Sequence, residues 1–332
     1  MSTLAHRFVT ANGIRHHVVE QGRGPLVLLV HGFPEGWRSW RHQLAALSDA
    51  GYRAVAYDVR GYGQTDAPAD VSAYAMRQLV ADAAGLVEAM RGSGGGSGAE
   101  ADADPRAVVV GHDWGASIAW HCALLRPDRF RAVAALSIVY TGRPPAPPIA
   151  IFRKRFDGQF FYMVYFQEPG VAEAELEADV RRSLRLMFYS AAGGTPPGPG
   201  FGGKPAGAKL LDGMTDPPTL PAWLSEAELD AYAADFARHG FHGPLNRYRC
   251  MDSDWADLAE LAGATVSVPA LFVVGAEDMS FKMRGPDAIA QMRAAVPHLR
   301  EALVLPGAGH WIQQERPAET SAALISFLRA SG

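Results

Sequence analysis

The chain has 332 residues, of which 48% are hydrophobic and 20% are charged, and its formal net charge at pH 7 is −4. This length and apolar content allow one large core, or one core that carries an insertion. The charge balance does not suggest a polyanion partner, because the strongest basic cluster, residues 153–155, is typical of a solvated surface. We therefore expect no nucleic-acid partner.

Cysteine content and apolar runs bear on the location of the protein. Cys122 and Cys250 are the only cysteines, which favours a reduced, cytoplasmic location, although two thiols could still pair. Residues 1–11 contain no long apolar stretch, so no secretory signal is predicted. The longest apolar runs, 25–30 and 133–140, are too short to span a bilayer. We expect a soluble cytoplasmic protein without a membrane span.

Short apolar runs typical of strands recur along the chain, with helical stretches between most of them. Residues 8–10 and 14–20 flank Asn12 and Gly13, a two-residue turn that predicts a hairpin. Further strands are predicted at 26–30, 54–59, 107–110, 133–140, 270–274 and 302–305, and helices for example at 74–91 and 116–125. Because buried strands alternate with helices, the sequence predicts an α/β fold with a mostly parallel sheet and helices on both faces.

The alternation stops between about residues 142 and 251, where helix-like segments occur without a convincing strand. Residues 173–189 form one such segment, and another begins at Ser225, where Glu228 completes a capping box. The Gly- and Pro-rich stretch 193–208 is predicted to be a loop. So is 92–105, which is rich in Gly, Ser and acids. We predict a core made of 1–141 and 252–332, and a helical cap made of 142–251.

The pentapeptide Gly111-His112-Asp113-Trp114-Gly115 lies between a predicted strand and a predicted helix. A strand that reverses sharply into a helix brings positions 111 and 115 together, which leaves room only for glycine and points the middle residue outward. Ser is usual in the middle and attacks acyl carbon, whereas an ionised Asp can displace a leaving group at saturated carbon. Epoxides and carbon–halogen compounds are the matching substrates. The alternative interpretation is a plain helix cap in an α/β turn.

A covalent ester on Asp113 would need a general base to activate water, normally a His oriented by a carboxylate. The chain order expected for this fold is nucleophile, acid, then His. Asp278 and His310 each follow a predicted strand in that order, so we predict His310 as the base and Asp278 as its acid. Glu277 is the nearest competitor. An acid one strand earlier is disfavoured, because 132–156 contains no Asp or Glu.

Residues 31–35, HGFPE, follow the first predicted parallel strand. The N–H groups of Phe33 and Trp114 are predicted to form an oxyanion hole for the ester. An ordinary strand exit explains this motif about as well, and Glu35 can be simply a polar loop residue. We also expect Phe33, Trp114 and Tyr165 to contact the substrate.

Opening an epoxide leaves an alkoxide, which departs only when it is hydrogen-bonded or protonated. A tyrosine hydroxyl can supply that bond at neutral pH. The predicted cap carries tyrosines in two segments, 160–166 and 243–249. Packing is the alternative role for any one of these aromatic residues.

Together these features resemble the soluble, α/β-hydrolase-fold epoxide hydrolases over nearly the whole chain. Besides the pentapeptide and HGFPE, the matching segments are 58–63 (DVRGYG), 165–172 (YFQEPGVA) and 243–246 (GPLN). The resemblance implies an α/β-hydrolase fold with a helical cap inserted after the sixth strand. The loops 92–105 and 193–208 depart from it, because both are longer and richer in Gly than the family needs.

The resemblance also implies roles for individual residues. It makes Asp113 the nucleophile, His310 the base and Asp278 the orienting acid. It implies that Tyr162 and Tyr248 donate to the epoxide oxygen. Tyr162 is preferred to its neighbour at 165 because the family's tyrosine lies three residues before the YFQEP stretch.

Three other functions compete with epoxide hydrolysis. A haloalkane or haloacid dehalogenase would use the same Asp, and the Trp114 indole could hold a halide, but a haloacid would also need an Arg nearby. The paired tyrosines and Phe33 disfavour both. An ester hydrolase is disfavoured because the pentapeptide lacks Ser, and a non-catalytic ligand receptor because the triad is complete. We predict an enzyme without cofactor or metal that acts on an epoxide and water.

Overall fold

A computed structural model describes residues 3–92, 104–196, 198 and 200–331. Its strands are β1 (Ala5–Ala11), β2 (Ile14–Gln21), β3 (Leu26–Val30), β4 (Arg53–Tyr57), β5 (Ala107–His112), β6 (Phe130–Leu136), β7 (Gln159–Phe161), β8 (Gly202–Pro205), β9 (Ala270–Gly275) and β10 (Leu299–Leu305). Eight of them form one sheet in the order β1-β2-β4-β3-β5-β6-β9-β10.

The sheet is antiparallel at one edge and parallel elsewhere. Strands β1 and β2 form the predicted hairpin, and Asn12 and Gly13 adopt φ values of 48° and 73° in its turn. Strand β2 runs antiparallel to β4, whereas β4, β3, β5, β6, β9 and β10 are parallel to one another. The mostly parallel sheet predicted from the buried apolar runs is therefore confirmed.

The α-helices are α1 (Arg41–Asp49), α2 (Met76–Gly92), α3 (Trp114–Leu125), α4 (Pro148–Arg155), α5 (Tyr162–Tyr165), α6 (Val171–Leu176), α7 (Val180–Ser190), α8 (Glu226–His239), α9 (His242–Arg249), α10 (Met251–Asp257), α11 (Met279–Arg284), α12 (Ala288–Ala295), α13 (Ile312–Glu315) and α14 (Pro317–Ala330). Side chains alternate across β3, so that Leu28 and Val30 pack with α2 and α3 on one face of the sheet. Val27 and Leu29 pack with α1 and α14 on the other face. Helices on both faces are thus confirmed.

The chain between β6 and β9 holds α4 to α10 and a second, two-stranded sheet made of β7 and β8. The absence of strands predicted for this region was wrong, and the loop predicted for 193–208 holds β8. The sequence hid this strand because its pairing is non-local: β8 is rich in Gly and Pro, and β7 anchors it with the buried rings of Phe160 and Phe161. Gly202 lets the strands approach, since a Cβ there would lie 3.2 Å from the Phe161 ring.

Two predicted elements are shorter in the structure. The strand predicted for 133–140 ends at Leu136, because Ser137 adopts a positive φ of 72°. The helical segment predicted for 173–189 is divided into α6, a 3₁₀ turn and α7. The division falls where the Asp179 side chain accepts a hydrogen bond from the Arg182 N–H and caps α7. Most of the loop predicted for 92–105, residues 93–103, lies outside the described residues.

Two remaining expectations concern the thiols and the membrane. Cys122 and Cys250 are both free and buried, so they do not pair with each other. Within the part of the chain that the structure describes, no helix is both long and apolar enough to cross a membrane.

Candidate functional site

Asp113 stands in the turn between β5 and α3 with a backbone φ of 52° and ψ of −120°. The two flanking glycines are required by close backbone contacts. A Cβ on Gly111 would lie 2.0 Å from the Gly115 carbonyl oxygen, and a Cβ on Gly115 would lie 1.9 Å from the carbonyl oxygen of Val30. The turn therefore holds Asp113 in a conformation that L-residues rarely adopt and fixes where its carboxylate lies.

The loop after β3 covers one side of this carboxylate. The Phe33 N–H donates to Asp113 Oδ1 over 2.9 Å, and the Phe33-Pro34 peptide bond is cis. A Cβ on Gly32 would lie 2.4 Å from the Asp113 Cβ, so glycine is required here too. The Trp114 N–H lies at the first position of α3, where the helix supplies no acceptor. The structure thus places the predicted Phe33 donor on the Asp113 carboxylate, and the Trp114 N–H belongs to the next residue in the chain.

His310 lies between two carboxylates. Its Nε2 is 3.5 Å from Asp113 Oδ2, and its Nδ1 is 2.9 Å from Asp278 Oδ2. Asp278 is fully buried, and its Oδ1 accepts the N–H of Ser280. The competitor Glu277 instead accepts the N–H of Gly194 over 2.7 Å. The structure therefore brings the predicted nucleophile, base and acid together and assigns the contact with His310 to Asp278.

The charges of Asp113, His310 and Asp278 stabilise one another. Burial acts to lower the pKa of His310, but attraction to Asp278 and Asp113 outweighs it and holds that pKa well above 6.5. Burial acts to raise the pKa of both carboxyls, but their bonds and attraction to His310 lower it. The result is an imidazolium between two carboxylates. Asp113 keeps 15% of its side chain exposed and is ionised.

A second set of buried polar groups holds the backbone of His310. The carboxylate of this set belongs to Glu35, and its role was not predicted from the sequence. Glu35, taken for a possible polar loop residue, is buried; it contacts His112 Nδ1 over 2.7 Å and accepts the Gly32 N–H over 3.0 Å. The His112 Nε2 is 2.7 Å from the His310 carbonyl oxygen, which also accepts the Ser137 hydroxyl. Only the long-range packing of these segments reveals the role of Glu35.

Two tyrosines of the predicted cap pack against each other, and one of them also contacts Trp114 and Phe33. The Tyr248 ring packs edge-on against Trp114, with centroids 5.1 Å apart, and against Phe33 at 5.6 Å. The Tyr162 and Tyr248 rings are 5.9 Å apart. Burial, with the negative charge of Asp113, raises the pKa of both hydroxyls far above 10. Both phenols therefore remain protonated donors.

Tyr165 is held differently from these two tyrosines. Its hydroxyl lies 2.9 Å from Glu175 Oε2, and its ring packs against Phe160 with centroids 5.2 Å apart. These contacts are made within the predicted cap. The expected contact of Tyr165 with a substrate stays a prediction.

The site can therefore combine an ionised carboxylate nucleophile, a His paired with a buried acid, two N–H donors and two phenols. This set suits displacement at carbon with an oxygen leaving group, followed by hydrolysis of an ester. No group of three or more His, Cys, Asp or Glu side chains within 3–92, 104–196, 198 and 200–331 is placed to hold a metal ion.

Comparison with known proteins agrees with this geometry. A family model described as the alpha/beta hydrolase family matches residues 27–323. The chain is 46% identical to epoxide hydrolase A of Mycobacterium tuberculosis, over 99% of this chain and 98% of that protein. It is 39% identical to epoxide hydrolase 3 of Siraitia grosvenorii, over 99% of each protein.

Solved structures that resemble this chain are also epoxide hydrolases. An epoxide hydrolase from an endophytic Streptomyces superposes with a TM-score of 0.91 at 48% identity, covering 98% of this chain and 96% of that one. Epoxide hydrolase A of Mycobacterium thermoresistibile superposes with a TM-score of 0.87 at 44% identity, covering 98% of each chain.

Asp278→Asn should lower the pKa of His310 by about 1 to 3 pH units, because the substitution removes the carboxylate that attracts the imidazolium most strongly. NMR titration of the histidine ring protons measures this pKa directly. Asp235→Asn, which removes a carboxylate on α8, is the control and should leave the His310 titration unchanged. An unchanged His310 pKa in Asp278→Asn would contradict the assigned ion pair.

Proposed function

This chain belongs to the epoxide hydrolases of the alpha/beta hydrolase family, and from that premise we propose that it converts epoxides to vicinal diols through a covalent ester on Asp113. The observation that carries the proposal is the position of the Asp113 carboxylate, which lies between the Phe33 N–H and His310 with Tyr248 packed over its neighbour Trp114. The substrates are an epoxide and water, and similarity to epoxide hydrolases supports this class over carbon–halogen compounds.

Ring opening uses the two carboxylate oxygens differently. Oδ1 stays on the Phe33 N–H and becomes the carbonyl oxygen, while Oδ2 attacks an epoxide carbon and becomes the ester oxygen. The carbon–oxygen bond of the ring breaks, and its electron pair goes to the epoxide oxygen. Tyr162 and Tyr248 hydrogen-bond the developing alkoxide, and one of the two hydroxyls gives it a proton. The phenolate that this leaves is reprotonated by the imidazolium of His310, whose ring becomes neutral.

Hydrolysis of the ester follows from the change in charge. Once Asp113 is esterified, one of the two carboxylates that raise the pKa of His310 is gone. The neutral ring, oriented by Asp278, takes a proton from water. The resulting hydroxide attacks the ester carbonyl carbon, and the N–H groups of Phe33 and Trp114 hold the oxyanion. The acyl–oxygen bond then breaks, and the departing alkoxide takes the remaining proton of the attacking hydroxide. The diol leaves with the former Oδ2, and the site returns to an Asp113 carboxylate beside a His310 imidazolium.

We extend the proposal to the organisation and location of the chain. Residues 142–251 form the cap over the site, and 1–141 with 252–332 form the core. This division is supported by the chain order, because β6 ends before the inserted helices and β9 begins after them. A cytoplasmic location is supported by the two free, buried thiols.

His310→Gln should stop turnover after the first step, because Gln cannot accept the proton of water. Incubation with styrene oxide followed by mass spectrometry should show one substrate mass added to a peptide that contains Asp113. His42→Gln, which changes an exposed His on α1, is the control and should turn over without accumulating an adduct. Diol production by His310→Gln without any adduct on Asp113 would overturn the covalent route.

Replacing both Tyr162 and Tyr248 with Phe should slow ring opening by about 10²–10⁴-fold, because the alkoxide would then lose its hydrogen-bond donors. Each single variant should retain part of the rate. Stopped-flow measurement of ester formation tests this prediction. Tyr232→Phe is the matched control, since this buried tyrosine on α8 contacts Gln314 instead. Near-normal ester formation in the double variant would exclude the two phenols as donors.

A further inference from the structure

Three consecutive backbone N–H groups in the loop that carries His310 each donate a hydrogen bond. The Gly309 N–H donates to Glu315 Oε2 and the Trp311 N–H donates to Glu315 Oε1, each over 2.9 Å. Between them, the His310 N–H donates to the Ala191 carbonyl oxygen over 2.8 Å. One carboxylate therefore fixes the backbone on both sides of His310.

The same carboxylate also binds the inserted part of the chain. The Gly193 N–H donates to Glu315 Oε2 over 2.8 Å. The two segments touch through their backbones, because a Cβ on Gly193 would lie 2.7 Å from the Gly309 nitrogen. A Cβ on Gly309 would lie 2.4 Å from the Ala191 carbonyl oxygen. Glu315 is thus the common acceptor where the segment 191–193 meets the loop of His310.

We propose that Glu315 is a positioning residue for the hydrolytic step: it locks the loop of His310 to the segment 191–193 and so holds the base where it can activate water. This inference rests on the proposed function, because it assigns His310 to ester hydrolysis. Glu315 itself contacts backbone N–H groups and no reacting atom.

The chemistry of the contact requires a carboxylate. Both oxygens of Glu315 accept, and one of them accepts two N–H groups. A glutamine has a single acceptor oxygen and would turn its NH₂ group toward at least one N–H, which adds repulsion and leaves a donor unpaired. Glu315→Gln should therefore loosen this loop while keeping the size of the side chain.

The two chemical steps depend on this loop unequally. The position of Asp113 is set by the turn between β5 and α3 and by the Phe33 N–H, none of which Glu315 touches. Attack on the epoxide should therefore continue. Hydrolysis requires the Nε2 of His310 to reach a water at the ester, and a misplacement of about 1 Å can cost ~10²-fold in rate.

Single-turnover kinetics separate the two steps. With enzyme in excess over styrene oxide, tryptophan fluorescence follows ester formation beside Trp114, and quenched-flow analysis follows the diol. Glu315→Gln should form the ester within about twofold of the wild-type rate and release the diol about 10- to 100-fold more slowly, so that the ester accumulates. Glu315→Asp, which keeps the carboxylate on a shorter side chain, should recover part of the hydrolysis rate.

Glu277→Gln is the matched control. Glu277 accepts an N–H from the neighbouring Gly194 but none from the loop of His310, so both rates should stay at the wild-type values. Equal slowing of both steps in Glu315→Gln, or slowing of neither, would overturn the positioning role. If Glu315→Gln does not fold, as judged by circular dichroism, Glu315→Asp carries the same test. Failure of the proposed function would show separately, as a wild-type reaction without an ester intermediate.

Discussion

The backbone of Asp113, held at a positive φ between glycines, is the constraint on which the rest of the site depends. Because Gly111 and Gly115 touch main-chain atoms directly, the turn has no freedom to carry the carboxylate elsewhere. The Phe33 N–H then fixes one oxygen and leaves the other toward His310. A flexible aspartate would need to be ordered during the reaction, whereas this one is ordered by folding.

The charge of the Asp113 carboxylate also affects the pKa of His310. His310 has its pKa raised by Asp278 and by Asp113, so the resting site holds a cation between two anions. In the proposed mechanism, esterification of Asp113 removes one anion and releases the ring to act as a base. Asp278 is buried and bound to the Ser280 N–H, and it contacts the other side of the ring. In that mechanism the charge of Asp113 controls the protonation of His310.

The sequence predicted those parts of the site that are encoded locally. Asp113 and His310 each stand in a short, glycine-rich turn after an apolar strand, and these turns, with the chain order expected for the fold, predicted the two residues that the structure brings together. Asp278 was predicted from its place at the end of a strand, and the two cap tyrosines were predicted from the resemblance to the family. The contacts of Glu35 with His112 and of Glu315 with Gly193 were not predicted, because they form only when distant segments meet. Strand β8 was missed for the same reason, since its Gly and Pro residues carry no strand signal without β7.

The covalent mechanism requires that the oxygen added to the epoxide comes from Asp113 and not directly from water. A single turnover in oxygen-18 water, with enzyme in excess over the epoxide, tests this origin. The covalent mechanism predicts an unlabelled first diol, with the label retained on the Asp113 carboxylate and detected by mass spectrometry of its peptide. Oxygen-18 in the diol of the first turnover, with an unlabelled Asp113 peptide, would contradict the mechanism.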